Sequence, residues 1–141
     1  MDVKWIEKFS LPKLITLLVG IAITIGGFIL TVTIFSKFAN EEISSILLAY
    51  LGMFIVFLGI VTIVQSFLMK DKWFEVDGHT VRAYVGFANL IVQIDGQIAK
   101  RFVLITFSSK DLDNKVDGLK VRLHVNGWGA TTIFVNGEKI Y

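Results

Sequence analysis

Two long apolar segments without a charged residue constrain this chain more than any other feature. They cover residues 14–36 and 43–69, which are 23 and 27 residues long. About 20 apolar residues, at a rise of about 1.5 Å each, cross the roughly 30 Å hydrocarbon core of a bilayer. The sequence therefore predicts a hairpin of two transmembrane helices over residues 14–69. A cleaved signal peptide is the alternative for the first segment, but this segment is longer than a signal h-region and no small-residue cleavage site follows it.

The two spans contain no Asp, Glu, Lys, Arg or His. Ionisable groups inside a membrane mark ion and proton pathways, so we do not expect a transporter or proton channel that acts alone. Small residues instead recur at seven-residue intervals, which lets helices approach closely. The candidate helix-packing residues are Gly20, Gly27, Gly52, Gly59 and Ser66. Either the two helices pack on each other through these residues, or one stripe faces another protein or a second copy of the chain.

The N-terminal segment, residues 1–13, is predicted to lie on the membrane surface. Trp5, Ile6 and Phe9 are at helical spacing with charged residues between them, a pattern typical of an amphipathic helix. Trp5, together with Trp73 beyond the second span, is expected to anchor the chain at the membrane interface.

Lysines near the span ends predict the orientation of the hairpin. Five of them flank its two outer ends, and the connecting stretch has one, Lys37; the five are Lys4, Lys8, Lys13, Lys70 and Lys72. The positive-inside rule then places both termini and the C-terminal domain in the cytoplasm, on the inner or plasma membrane.

Residues 70–141 change to a period of two and predict a small all-β antiparallel sandwich. Asp-Gly or Asn-Gly dipeptides, the strongest signals for two-residue hairpin turns, occur at 77–78, 95–96, 117–118, 126–127 and 136–137. Alternating runs between them predict strands over 80–85, 89–94, 120–125 and 131–135. The stretch 101–107 is apolar on both faces and is predicted to be a central strand, and 108–115 is predicted to be a long loop.

This domain is predicted to contain an internal duplication. Residues 76–99 align with residues 116–140 after one inserted residue at Asn126. Both units begin with Val-Asp-Gly. Each then has a Val-Arg pair whose valine is three residues after that glycine, and a Gly-aromatic pair at a hairpin tip. The pattern indicates two related halves.

The string DGLKVRLHVNGWGATTIFVNGEKIY, at the end of the chain, resembles the β-rich domain of the Fas apoptotic inhibitory molecule family. In that family a DG turn, a strand, a glycine-containing hairpin tip, a second strand and a V-[DN]-G-[KE] turn follow in the same order. The resemblance covers about residues 73–141. It implies a compact non-catalytic β-sandwich that works through protein contacts, and it transfers no active-site residue.

Composition and spacing predict no catalytic residue, cofactor or metal site. The chain has no cysteine, and its two histidines, His79 and His124, lack a third ligand or a metal-binding pattern. Over residues 70–141, ten Lys and Arg stand against eight Asp and Glu. This balance does not indicate nucleic-acid binding, which requires clustered basic residues.

Phe87 and Trp128 are the candidate contacts for a partner or ligand, because they occupy equivalent glycine-flanked hairpin tips in the two halves. The alternative is that both rings fold inward and close the ends of the core. The favoured function is a non-enzymatic, membrane-anchored protein-interaction module or an accessory subunit, bound to a protein partner or to further copies of itself. The alternatives are a membrane sensor for a small molecule or glycan and an immunity protein against a toxin.

Overall fold

The computed structural model describes residues 1–38, 43–86, 88–103 and 109–141. Strand β1 is Val3–Ile6 and the helices are α1 (Leu11–Phe38) and α2 (Ile43–Leu68). The strands that follow are β2 (Lys70–Val76), β3 (His79–Val85), β4 (Asn89–Ile94), β5 (Gln97–Phe102), β6 (Lys110–Val116), β7 (Leu119–Val125), β8 (Thr131–Val135) and β9 (Glu138–Lys139). The chain forms two compact units: a helical unit, Leu11–Phe67, and a β unit made of Met1–Ser10 and Leu68–Tyr141.

The helical unit confirms the predicted hairpin of two long apolar helices. Both helices are long and apolar enough to cross a membrane, yet only 11% of the most apolar stretch of α1 and 17% of that of α2 is buried within the protein. A core helix of a soluble protein would be mostly buried, whereas these helices present Leu, Ile, Val and Phe outward on most of their circumference. α1 begins three residues before the predicted span and includes Pro12, which the first turn of a helix tolerates.

The four glycines among the candidate helix-packing residues lie between the two helices of this hairpin. A Cβ added to Gly27 would stand 2.8 Å from the backbone nitrogen of Val56, and one added to Gly20 would stand 2.9 Å from that of Ile63. From the other helix, Gly52 faces Thr31 and Gly59 faces Thr24. Each pair of facing residue numbers adds to 83, so one antiparallel register runs along the seam. These glycines therefore pack the two helices of the hairpin on each other, which was the first of the two predicted arrangements.

Several hydroxyl groups of the two helices are satisfied inside their own helices. Thr24 Oγ1 donates to the carbonyl oxygen of Gly20 at 2.8 Å, and Thr31 Oγ1 donates to that of Gly27 at 2.8 Å. Ser66, which is 3% exposed, donates to the carbonyl oxygen of Ile63 at 2.6 Å. Unpaired polar groups are costly in an apolar medium, and this bonding removes that cost.

The β unit consists of a five-stranded sheet, sheet A, and a four-stranded sheet, sheet B, which confirms the predicted all-β fold. The strand orders are β1-β2-β3-β4-β5 and β6-β7-β8-β9, and every neighbouring pair is antiparallel. Alternate side chains of both sheets form one core. Its fully buried members are Phe74, Val76, Val81, Val92, Ile94, Val121, Leu123, Ile133 and Val135.

The N-terminal segment corrects the predicted surface helix, since Val3–Ile6 forms strand β1 and pairs with β2. The Trp5 ring lies 5.3 Å from the ring of the buried Phe74 and 5.9 Å from that of Tyr141. Cross-strand packing of these rings favours the strand over the helix suggested by local spacing. The β unit is thus larger than the predicted domain of residues 70–141.

Four of the five predicted turns are tight hairpin turns. Asp77, Asp95, Asp117 and Asn136 have φ between 47° and 50°, and the glycine after each also has a positive φ, as a type I′ turn requires. Asn126-Gly127 is the exception, because the positive φ in that connection falls on Gly129. The four predicted strands at 80–85, 89–94, 120–125 and 131–135 match β3, β4, β7 and β8 within one residue.

Two predicted elements of the β domain are wrong in the part that the structure describes. Lys110–Val116 forms strand β6 rather than a long loop, and residues 101–102 end the edge strand β5 rather than begin a central strand. Residues 104–108 lie outside the described residues. The duplication stays a prediction; in its favour, β2 and β3 begin 40 residues before β6 and β7, and both sheets continue as meanders.

The β unit has two distinct ends. The turn end carries the four tight turns. The junction end carries the row Lys70, Val85, Leu90 and Arg101 of sheet A and the row Lys110, Val125 and Thr131 of sheet B. Arg101 donates to the carbonyl oxygen of Asp111 at 2.8 Å and Asn114 to that of Gln97 at 3.0 Å, so β5 and β6 run antiparallel and the two rows share one end.

Candidate functional site

Trp128 stands on the connection between β7 and β8 and is 94% exposed. Asn126 shapes this connection: its Oδ1 accepts from the backbone N–H of Trp128 at 3.0 Å and from that of Ala130 at 2.8 Å. Gly129 supplies the positive φ, at 82°. Trp128 is therefore held outward by an ordered loop and does not close the core, as the alternative prediction required. Phe87, its predicted counterpart, lies outside the described residues.

Other exposed aromatic rings share the junction end with Trp128. Phe102, the last residue of β5, is 78% exposed, and Phe9, in the stretch that follows β1, is 76% exposed. Ser10 Oγ donates to a carboxylate oxygen of Asp71 at 2.9 Å, which fixes this stretch beside the start of β2. Three large rings thus face outward at one end of the β unit.

Charge is distributed unequally between the two ends. The junction rows contain Lys70, Arg101 and Lys110 and no acidic residue. The tight turns at the other end contain Asp77, Asp95 and Asp117. The aromatic rings are thus accompanied by cations.

The outer face of sheet B carries a ladder of charged pairs. Arg122 binds Asp113 through two hydrogen bonds, of 2.7 and 3.0 Å, and Lys120 Nζ lies 3.5 Å from the same carboxylate. Hydrogen bonding to Arg122 lowers the pKa of Asp113 below its ordinary value and raises that of Arg122. His124 Nδ1 lies 2.6 Å from Asp111 on the same face. The ladder keeps this face charged and solvated.

A shallow concavity opens beside this ladder. It has a volume of about 390 Å³ and is lined by Lys120, Arg122, Phe134, Asn136 and Gly137. Two cationic groups beside an aromatic ring can hold an acidic or aromatic group of a partner. We call this surface, from Asp111 and Asp113 to Phe134, the sheet B face.

A more buried ion pair lies on the outer face of sheet A. Asp71, whose side chain is 3% exposed, accepts from Arg82 at 2.9 and 2.8 Å. The Arg82 guanidinium carbon is 5.2 Å from the ring centres of both Trp73 and Tyr84. Burial raises the pKa of Tyr84, and the hydrogen bond to Asp71 raises that of Arg82. With Ser10 bound to Asp71, this cluster joins the N-terminal segment to the sheet.

The two predicted interface tryptophans both belong to the β unit. Trp73 lies on β2 with Lys8 Nζ 3.9 Å from its ring centre, and Trp5 lies on β1 at the edge of the core. Their anchoring role stays a prediction.

The histidines are paired with acids. His79 Nδ1 lies 2.5 Å from Asp95 Oδ2, across neighbouring turns, and this hydrogen bond raises the pKa of His79 above 6.5. Among the described residues, no three His, Cys, Asp or Glu side chains come together as a metal site.

Two ion pairs between neighbouring strands, Asp71–Arg82 and Asp113–Arg122, were not predicted from the sequence, although the sequence contains a signal for them. A two-residue turn at 77–78 sets Trp73 opposite Arg82, and one at 117–118 sets Asp113 opposite Arg122. Extending each turn backwards along the chain would have found β2 and β6 and their acidic residues.

Comparison of the chain with protein-family models, with curated proteins and with solved structures found no match. The resemblance to the Fas apoptotic inhibitory molecule family therefore stays a prediction.

Proposed function

We propose that this protein is a membrane-anchored interaction module, in which the helical hairpin is the anchor and the sheet B face binds a protein partner. The observation that carries the proposal is the pairing of β1 with β2. β1 precedes the first helix and β2 follows the second, so both outer ends of the hairpin lead into one β unit. In such a chain only a few residues separate the folded domain from either outer end of the hairpin.

The sheet B face is the surface best suited to a partner. It combines the exposed Arg122–Asp113 pair, with side chains 48% and 39% exposed, with Phe134 and the concavity. Charged groups around an aromatic ring support specific association, since they set orientation while the ring supplies buried apolar area. The lysine distribution supports a cytoplasmic position for this face.

The experiment is purification of the full chain from its native membranes in mild detergent, with mass spectrometry of the proteins retained. Wild type is compared with Arg122→Glu, which reverses a charge on the sheet B face, and with the control Glu75→Lys, which changes an exposed charge on sheet A. We expect a stoichiometric companion that Arg122→Glu loses and Glu75→Lys keeps. A companion retained equally by both variants would contradict the assigned face, and a wild type without one would contradict the proposal.

A ligand sensor is the second candidate, and the concavity favours it. Trp128 is too exposed to line an enclosed site, so a ligand would bind beside Lys120, Arg122 and Phe134 instead. Two cations there favour an anionic ligand. An immunity protein would need the same anchor and face, and the identity of the companion distinguishes it from an accessory subunit.

A further inference from the structure

We propose that the junction end of the β unit binds the headgroup layer of the bilayer that holds the helices, with Trp128 as its main contact. This inference rests on the membrane anchoring in the proposed function but not on the protein partner. The ligand is a lipid surface carrying anionic headgroups.

The path of the chain identifies the end that meets the bilayer. α2 ends at Leu68 and β2 begins at Lys70, in the junction row, so one residue separates a span from this end. On the other side of the hairpin, Ser10 is bonded to Asp71 immediately before α1 begins at Leu11. Both passages between the β unit and the helices therefore occur at the junction end.

The side chains at this end have the chemistry of a membrane interface. Trp128, Phe102 and Phe9 are each more than three-quarters exposed, at 94%, 78% and 76%. Tryptophan concentrates at the headgroup level because its ring is apolar and its N–H is polar. The loop ordered by Asn126 holds Trp128 outward, so the exposure of this ring follows from the backbone conformation of the loop.

The charges agree with this assignment. Lys70, Arg101 and Lys110 stand in the junction rows, and anionic lipids attract such residues. Asp77, Asp95 and Asp117 lie at the opposite end, which an anionic lipid surface would repel. A protein pocket could also accept a lone tryptophan, but it would not explain why the rings and cations gather where the chain enters its spans.

The experiment measures the depth of nitroxide labels on the full chain, in vesicles of phosphatidylcholine and phosphatidylglycerol that contain no other protein. The chain has no cysteine, so each introduced cysteine is labelled alone. Ala130→Cys places a label in the Trp128 loop while keeping Trp128. Ile98→Cys is the control, because Ile98 is 61% exposed on the same strand as Phe102 but farther from the junction end.

We expect the ratio of collisions with oxygen to collisions with a water-soluble nickel chelate to be several-fold higher at residue 130 than at residue 98. Adding Trp128→Ser should lower the ratio at residue 130 towards that at residue 98, and pure phosphatidylcholine should lower it too. Equal ratios at the two positions in the anionic vesicles would overturn the proposal. A label at residue 130 that is protected from the nickel chelate only in native membranes would overturn the proposal as well. That result would indicate that Trp128 binds another protein.

Discussion

Arg82 and Arg122 occupy equivalent positions, four residues after a turn glycine, but their ion pairs differ in burial. Asp71, the partner of Arg82, is 3% exposed, and Asp113, the partner of Arg122, is 39% exposed. Removing one member of a buried pair leaves an uncompensated charge, whereas an exposed pair exchanges its partner for water at little cost. The same chemistry is therefore structural on sheet A and available to a partner on sheet B.

Arg82→Met should destabilise the β unit by about 3 kcal/mol, since it leaves the buried Asp71 carboxylate without its cation. Arg122→Met, the matched control, should cost less than about 1 kcal/mol. With about 4–8 °C per kcal/mol for a domain of this size, the two variants should differ in Tm by roughly 10 °C or more. Circular dichroism in detergent measures this, and equal shifts would show that Asp71 is not the buried partner.

The His79–Asp95 pair predicts a pH dependence. Because the pKa of His79 is raised above 6.5 in the folded state, its contribution to stability is complete below pH 6.5 and is lost as pH rises through the raised pKa. Hydrogen bonds lower the pKa of Asp95 below 3.8, so its contribution is present above pH 3.8 and is lost as pH falls through the lowered pKa. The pair therefore stabilises the fold most between pH 3.8 and 6.5.

Asp95→Asn should return the pKa of His79 towards 6.5, because the hydrogen bond from His79 to the carboxylate is the largest cause of the shift. NMR titration of the imidazole protons measures the change, with wild type titrated in parallel. A pKa of His79 that does not fall in the variant would disprove the pairing.

At the scale of elements, β7 was predictable and β6 was not, because β7 presents an unbroken apolar face to the core and β6 does not. β7 alternates buried Val121 and Leu123 with exposed residues, which marks it in sequence. β6 offers the core only Leu112, Asn114 and Val116, and Asn114 fits because its amide donates to the carbonyl oxygens of Val92 and Gln97 at 2.9 and 3.0 Å. That compensation depends on sheet A and is invisible in the strand's own residues.

β1 could not be predicted from its own residues either. Four residues before a span carry little signal, and their strand conformation depends on β2, which lies more than 60 residues away in sequence. Trp5 was consequently assigned to an amphipathic helix, although it lies on strand β1 and its ring packs on Phe74. Local spacing describes a short segment poorly when its partner is distant.

The helix pair predicts a large difference between two glycines of similar sequence context. Gly59→Leu should separate the helices, because an added Cβ would meet the backbone nitrogen of Thr24 at 2.6 Å. Gly26→Leu, the control, should not, since nothing lies within 4 Å of its added Cβ. The distance between spin labels at Leu18→Cys and Val64→Cys reports the helix separation. It should increase by about 1–2 Å only in the first variant, because interaxial distances vary over about 8–10 Å with the side chains at the contact. Equal distances in both variants would contradict the seam.

At the scale of the whole molecule, the proposed function requires that the β unit, assembled from segments on both sides of the hairpin, lies on one side of a membrane. The sequence predicted the spans and the β domain separately, from hydropathy and turn chemistry. The pairing of β1 with β2, which joins segments from both sides of the hairpin into one β unit, came only from the structure.

The most direct test is cysteine accessibility in sealed membranes. Single substitutions Lys4→Cys, Glu138→Cys and Asn40→Cys report on β1, on β9 and on the predicted connection between the spans. With a membrane-impermeant thiol reagent, we expect residues 4 and 138 to react from one side and residue 40 only from the other. Residues 4 and 138 on opposite sides, or all three on the same side, would contradict the account.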